Sequence, residues 1–313
     1  MRKVKKIIEY GNFNCTFGDK FLPLLSNLSN IVVPALKSGI IIREKDDLSY
    51  SIDNVSLFKH NYYGYCLQGR FIKNTYLEVL SKQDEENRLI HTNEIYPTSP
   101  YSLFVIFLKN HKMVFVKNQK GSPTMMNLER IVMKLIVGYA KKRKIVNTDT
   151  DDFSVDLHIT PLPSKTSLAE QLEEIVSVTN VKFNLFPLNG GCDFHGILDS
   201  LQNEMSNSAS KQISVSISKP KNIPWVNEQI MSVKGNGKFV LKGKKINGSE
   251  VKITENNFSE KAYACCDSSV TDEELINNIL EMSNTREIYD IYEGEKERYE
   301  SFLYKIGNDD NRG

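Results

Sequence analysis

The sequence predicts an α+β fold in two domains, 1–150 and 151–313, with mixed or antiparallel sheets packed by helices. Three observations carry this. At 313 residues the chain exceeds the size that one hydrophobic core usually serves. Short strand-like runs and turn dipeptides are interleaved with a few amphipathic stretches, with no internal repeat. Charge is sorted along the chain into a basic block at 211–252 and an acidic, helical C-terminus at 271–305.

In the first half, residues 4–14 alternate well enough for a strand. Phe21, Leu24, Leu25 and Leu28 then recur at helical spacing, predicting a short helix over 21–29. Residues 40–43, 48–52 and 58–67 are rich in Tyr and Ile and read as strands. The polar, Pro-containing stretch 81–100 reads as a surface loop. Next comes a clear hairpin: an apolar strand over 101–108, a polar turn, and a return strand over 113–117. Gly121 and Pro123 break the sheet and open a helix over 126–144, whose apolar face is Leu128, Ile131, Val132, Leu135 and Ile136. That helix ends in Lys141, Lys142, Arg143 and Lys144, cations that suit the negative end of a helix dipole. The polar stretch 147–152 reads as the domain junction.

The second half begins with a strand over 154–159 and a Pro-containing turn. Ser167 followed by Glu170 forms a capping-box pattern before a helix over 168–178. A strand over 181–186, a helix over 194–205 and an alternating strand over 213–217 follow. From Glu228 the chain reads as a β-meander turned by Asn236-Gly237 and Asn247-Gly248, since Asn-Gly between alternating runs signals a hairpin. Two acidic helices close the chain, over 271–282 and 288–304.

Bulk properties exclude several classes. An apolar content of 40% with 25% charged residues is that of an ordinary globular protein. The basic N-terminus runs into a strand without the apolar core of a secretory signal, and no apolar run approaches membrane-spanning length, so a cytoplasmic protein is expected. Cys15, Cys66, Cys192, Cys265 and Cys266 lack metal-binding or disulfide spacing and read as reduced residues. No cofactor is expected.

The strongest chemical signal is the lysine meander. Lys234, Lys238, Lys242 and Lys244 are separated by even numbers, so within a strand they share a face; Lys245 and Lys252 add to the block. Flexible cations at this spacing suit phosphates, and Lys141 to Lys144 would extend the surface. The competing explanation is a solvated sheet face kept soluble by lysine. Base readout is not indicated, and Trp225 reads as a packing residue. Two weaker patterns stand beside it. Glu250-Val251-Lys252 has the E-x-K form of metal-dependent nucleases, but the strands before it carry no acid. His158-Ile159-Thr160 has the form of a two-histidine phosphoesterase strand, but no second copy exists.

The unit over 101–136, with its apolar hairpin running through Gly-Ser-Pro-Thr into a helix, resembles the RexA family of the phage lambda exclusion system. The likeness covers about 35 residues, and the order of elements matches loosely beyond it. It implies a dimeric or higher homo-oligomeric, sequence-tolerant sensor of double-stranded DNA. Such a protein would act in abortive infection, with a membrane-protein partner encoded nearby. The expectation is therefore a non-enzymatic DNA-binding protein of anti-phage defence. The alternatives are an interaction subunit whose acidic helices dock a basic partner or fold over the lysines, and a nuclease using Glu250 and Lys252.

Overall fold

The computed structural model describes residues 2–143, 154–189, 197–233, 235–257, 259–283, 296–297 and 299–303. Its two sheets are antiparallel in every described strand pairing, and helices pack on them, so the fold is α+β.

The first strand, β1 (Lys3–Phe17), is long enough to hold several partners. A short β2 (Leu22–Pro23) leads into α1 (Leu24–Asn27), a π-helical turn at Leu28–Val32 and α2 (Val33–Leu36). The helical spacing of Leu24, Leu25 and Leu28 is therefore realised, but only from residue 24. Phe21 sits at φ 48, outside any right-handed helix.

Next come β3 (Ile42–Lys45), β4 (Leu48–His60), β5 (Gly64–Gln83), β6 (Leu89–Thr98), β7 (Tyr101–Phe107) and β8 (Lys112–Lys117). The predicted strand over 58–67 is two strands meeting at a turn, with His60 paired to Gly64. The predicted loop over 81–100 is mostly strand. β5 and β6 form a hairpin from Thr75–Thr98 to Gln83–Leu89. The acidic residues that suggested a loop occupy only its tip, where Asp84 Oδ1 accepts from the amides of Glu86 and Arg88 and Asn87 takes a positive φ.

Helix α3 (Met125–Lys142) begins at a capping box between Thr124 and Asn127. The predicted junction at 147–152 lies outside the described residues. Beyond it, β9 (Val155–Pro161) pairs with the C-terminal half of β1, and β14 (Lys261–Asp267) pairs with its N-terminal half. The first sheet thus runs β14-β1-β8-β7-β5-β4-β3 and draws strands from both ends of the chain.

Between β9 and β14 lie α4 (Lys165–Glu173), β10 (Ile175–Leu185), α5 (Ile197–Asn207), β11 (Ile213–Ser218), α6 (Ile223–Val233), β12 (Gly237–Lys245) and β13 (Glu250–Thr254). The second sheet has the order β11-β10-β12-β13. Helix α4 is earlier and shorter than its predicted span of 168–178. It starts at Lys165, so Ser167 lies inside its first turn, and the β-branched run Ile175, Val176, Val178 and Thr179 belongs to β10. The meander likewise starts later than Glu228, because α6 occupies 223–233 with Asn222 Oδ1 accepting from the Trp225 amide at 3.0 Å. Trp225 packs against the core between the second sheet and its helices, as its sequence context suggested.

The cores follow from these layers. One face of the first sheet packs Phe13, Cys15, Phe104 and Phe115 against Leu128, Ile131 and Leu135 of α3. The other packs Ile8, Tyr10, Leu103 and Val116 against α7 (Asp272–Ser283) through Leu275, Ile276, Ile279 and Leu280. The acidic helix therefore lies on the first sheet rather than over the lysines. Tyr299 and Phe302 join the first of these cores, and the Tyr299 hydroxyl accepts from the Tyr65 amide at 2.8 Å. Among the described residues no helix is long and apolar enough to cross a membrane.

Candidate nucleic-acid interface

Period-two alternation builds the site. In the second sheet Val181, Phe183, Leu185, Phe239, Leu241 and Ile253 are buried against Leu168, Leu172, Val226 and Ile230 of α4 and α6. The residues between them face the other way. Lys182 on β10, Lys242 and Lys244 on β12 and Lys252 on β13 are exposed, in a field of Asn180, Asn184, Ser214, Ser216 and Ser218.

Register brings the cations together. Lys242 stands directly opposite Lys252, and on its other side opposite Asn180; Lys244 stands opposite Glu250. Like charges in direct opposition destabilise a sheet. Among the described residues Lys242, Lys244, Lys252 and Lys182 form no ion pair, and against the single Glu250 this face carries an excess of positive charge. Gly243, between two lysines, is required by packing: a Cβ there would stand 2.7 Å from the Ser177 carbonyl oxygen. The polar field is itself ordered, with Asn180 Nδ2 donating to Ser216 Oγ at 2.7 Å and Ser214 Oγ donating to Asn184 Oδ1 at 2.7 Å.

Two predicted lysines are engaged elsewhere. Lys238 shares the outer face but donates to Glu129 of α3 at 3.2 Å, while the second oxygen of Glu129 accepts from the Ile159 amide at 2.8 Å. Nearby, burial raises the carboxyl pKa of Glu255, which accepts from the Phe239 amide at 3.3 Å. Lys238 therefore ties the second sheet to the first layer. Lys245, at the strand end, pairs with Glu174 at 2.7 Å. Lys234 and Lys144 lie outside the described residues.

Lys141, Lys142 and Arg143 are exposed at the end of α3, with the Arg143 guanidinium 5.7 Å from the Tyr139 ring centroid. Lys141 lies twelve residues beyond Glu129, about 18 Å along the helix axis. The structure thus gathers Lys242, Lys244 and Lys252 into one patch, and the helix-end cations form a second. Sequence reasoning missed Lys182. Its signal was available, since it sits between the apolar Val181 and Phe183 with the same alternation.

The chain matches the model of a family described as a domain of unknown function, DUF4747, over residues 35–284. The chain belongs to the DUF4747 family. No curated protein and no protein of solved structure matches it. In this DUF4747 chain the matched span contains all of the second sheet, with its three lysine-bearing strands β10, β12 and β13, and α7.

The two weaker motifs resolve differently. Glu250 is exposed and faces Lys244, and β12 beside it bears no carboxylate. Among the described residues no group of three or more His, Cys, Asp or Glu is placed to hold a metal ion. His158 is a strand histidine whose Nε2 lies 3.1 Å from Asp156 Oδ1 and whose ring stacks on Phe186 at 3.9 Å.

Proposed function

We propose that this chain is a non-enzymatic, cytoplasmic, sequence-tolerant binder of double-stranded DNA, acting in bacterial anti-phage defence of the abortive-infection type. One observation carries the binding reading: Lys242 and Lys252 face each other on an open sheet surface with Lys182 and Lys244, Glu250 stands opposite Lys244, and among the described residues the facing lysines form no ion pair. Such an arrangement destabilises the sheet alone and is relieved by a bound polyanion. The surrounding serine and asparagine side chains offer hydrogen bonds to phosphate oxygens without reading bases. The sheet is held rigid by α4 and α6 beneath it, so the cations are presented on a fixed frame. The absence of a carboxylate on β12 favours holding phosphate over cutting it. The defence role rests on the resemblance of residues 101–136 to the RexA family.

The test is an electrophoretic shift with duplex DNA of arbitrary sequence at low salt. Lys242→Glu with Lys252→Glu should weaken binding at least 100-fold while far-UV circular dichroism stays unchanged. Equal affinity of the folded variant and the parent would sink the assignment.

A further inference from the structure

The unit of β10–β13 with α4, α5 and α6 is inserted into the chain between β9 and β14, and both crossings run through one neck. There the Leu162 amide donates to the Tyr10 carbonyl at 2.9 Å, the Glu260 amide donates to the Leu162 carbonyl at 2.7 Å, and Pro163 bridges to Ser259. Two crossings side by side let the unit turn without breaking a strand of the first sheet. The unit also has a core of its own. Its buried apolar residues, from Leu168 to Ile253, share no side chain with the two cores of the first sheet. What lies between the two bodies is polar. Asn12, Asn14 and Thr16 of β1 stand opposite Thr160, His158 and Asp156 of β9, rung after rung. Across this ladder Phe186 stacks on His158, while Pro187 and Asn189 hydrogen-bond to Asn14. Asn236 Oδ1 accepts from Asn12 Nδ2 at 2.5 Å, and Lys238 with Glu129 adds an ion pair.

The ladder is incompletely satisfied. Among the described residues, the buried Thr16 Oγ1, Thr160 Oγ1, Asp156 Oδ2 and His158 Nδ1 have no hydrogen-bond partner. Dry burial of such atoms opposes closure of the seam. The hydrogen bonds that do cross it are exchanged for bonds to water at small net cost when it opens. Opening either core would instead expose large apolar side chains. Bodies joined through a polar face move relative to one another by default. We propose that the unit is hinged at the Leu162–Glu260 neck and swings away from the first sheet, opening the polar seam while both bodies stay folded. The lysine face travels with the unit, whereas Lys141, Lys142 and Arg143 stay with α3 on the first body. On the phosphate-binding reading above, the swing sets the spacing between these two cationic patches; the motion itself does not rest on that reading.

The experiment is native-state hydrogen exchange on the full chain, free of nucleic acid, read residue by residue by NMR. The amides of Cys15 and Leu24 donate to Asn189 Oδ1, and the Asn189 amide donates to Asn14 Oδ1, so a swing frees all three together. They should share one opening, populated at least about 100-fold more than those that free the amides of Phe104 and Phe183 in the two sheets. Asn14→Ala removes the clasp from the first body and should raise that population about tenfold. Thr16→Val with Thr160→Val replaces two orphan hydroxyls by methyl groups and should lower it about tenfold. The Phe104 and Phe183 amides should be unchanged in both variants. Seam amides as protected as those two, three unrelated protections, or a valine pair that opens more readily than the parent would overturn the hinge. No polyanion is present, so the hinge and the lysine face stand or fall separately.

Discussion

Asn14 and Asn189, 175 residues apart, clasp the two sheets together at a buried seam. The Asn189 amide donates to Asn14 Oδ1 at 2.6 Å, and Asn14 Nδ2 donates to the Pro187 carbonyl. The Asn189 side chain then satisfies three backbone groups. Its Oδ1 accepts from the amides of Cys15 at 2.9 Å and Leu24 at 3.2 Å, and its Nδ2 donates to the Phe13 carbonyl at 2.8 Å. Substituting Asn189 by Ala would leave those buried groups without partners. A buried unsatisfied group costs 1–3 kcal/mol, so Asn189→Ala should lower stability by about 3 kcal/mol. Urea unfolding would show this as a lower midpoint at constant slope, and an unchanged midpoint would refute the role.

The seam also shows what the sequence could and could not reveal. The hairpin over 101–117, the apolar face of α3 and the alternating strands were legible because each is set by local periodicity. The clasp was not, because a lone asparagine in a turn looks the same whether it caps nothing or three backbone groups. The β5–β6 hairpin was missed for a related reason: its acidic tip lies in a polar context, while Leu77, Ile95 and Tyr96 lack a core to face. In the candidate site, even spacing placed Lys242 and Lys244 on one face correctly. Spacing could not distinguish Lys238, because its partner Glu129 comes from α3, 109 residues earlier.

That distinction makes the lysines separable by salt. Each phosphate contact contributes about −0.9 to the slope of log affinity against log salt concentration on duplex DNA. Lys182→Ala and Lys242→Ala should each reduce the magnitude of the slope by about 1. Lys238→Ala should leave it unchanged and instead lower stability by up to about 1 kcal/mol through loss of a partly exposed ion pair. Filter binding from 50 to 300 mM salt would decide; an equal slope change for Lys238→Ala would place it among the contacts.

Tyr101 gives the first sheet an alkaline limit. Its hydroxyl donates to Asp272 at 2.8 Å, beside Arg70, which pairs with Asp53 at 2.7 Å and reaches Asp272 at 3.5 Å. Burial, then the hydrogen bond to Asp272, raises the Tyr101 pKa to about 12 from an ordinary value near 10. The fold therefore favours the neutral phenol. That stabilisation is complete below about pH 10 and is lost as pH rises through 12. Between pH 9 and 12, Tyr101→Phe should lose less stability than the parent, measured by urea midpoints. Parallel losses would show that Tyr101 titrates normally.

The thiols should separate by burial. Burial pushes the Cys66 thiol up to about 12, and burial with the Asp156 charge pushes Cys15 up as well. Cys265 is exposed on β14. Iodoacetamide at pH 8 should alkylate Cys265 within minutes and reach Cys15 and Cys66 only in denaturant, since the thiolate is the reacting form. Peptide mapping by mass spectrometry reads each site separately. Modification of Cys66 at the rate of Cys265 in the folded protein would contradict its burial.

Removing the chain from Thr271 onward distinguishes a gate from a core element. Were the acidic C-terminus a cover over the lysines, its loss would tighten DNA binding. The structure places α7 on the first sheet instead, with Leu275, Ile276, Ile279 and Leu280 buried against Ile8, Tyr10, Leu103 and Val116. The Tyr63 hydroxyl donates to the Leu280 carbonyl at 2.9 Å, and Tyr10 and Ser283 share a hydrogen bond at 3.2 Å. Each fully buried aliphatic side chain is worth about 1.5–3 kcal/mol, so the four together stabilise by at least about 6 kcal/mol. That is comparable to the whole stability of a domain, about 5–15 kcal/mol. Truncation at 270 should therefore give aggregated or protease-sensitive protein. A soluble, cooperatively melting truncation that binds DNA more tightly would restore the gate and remove α7 from the core.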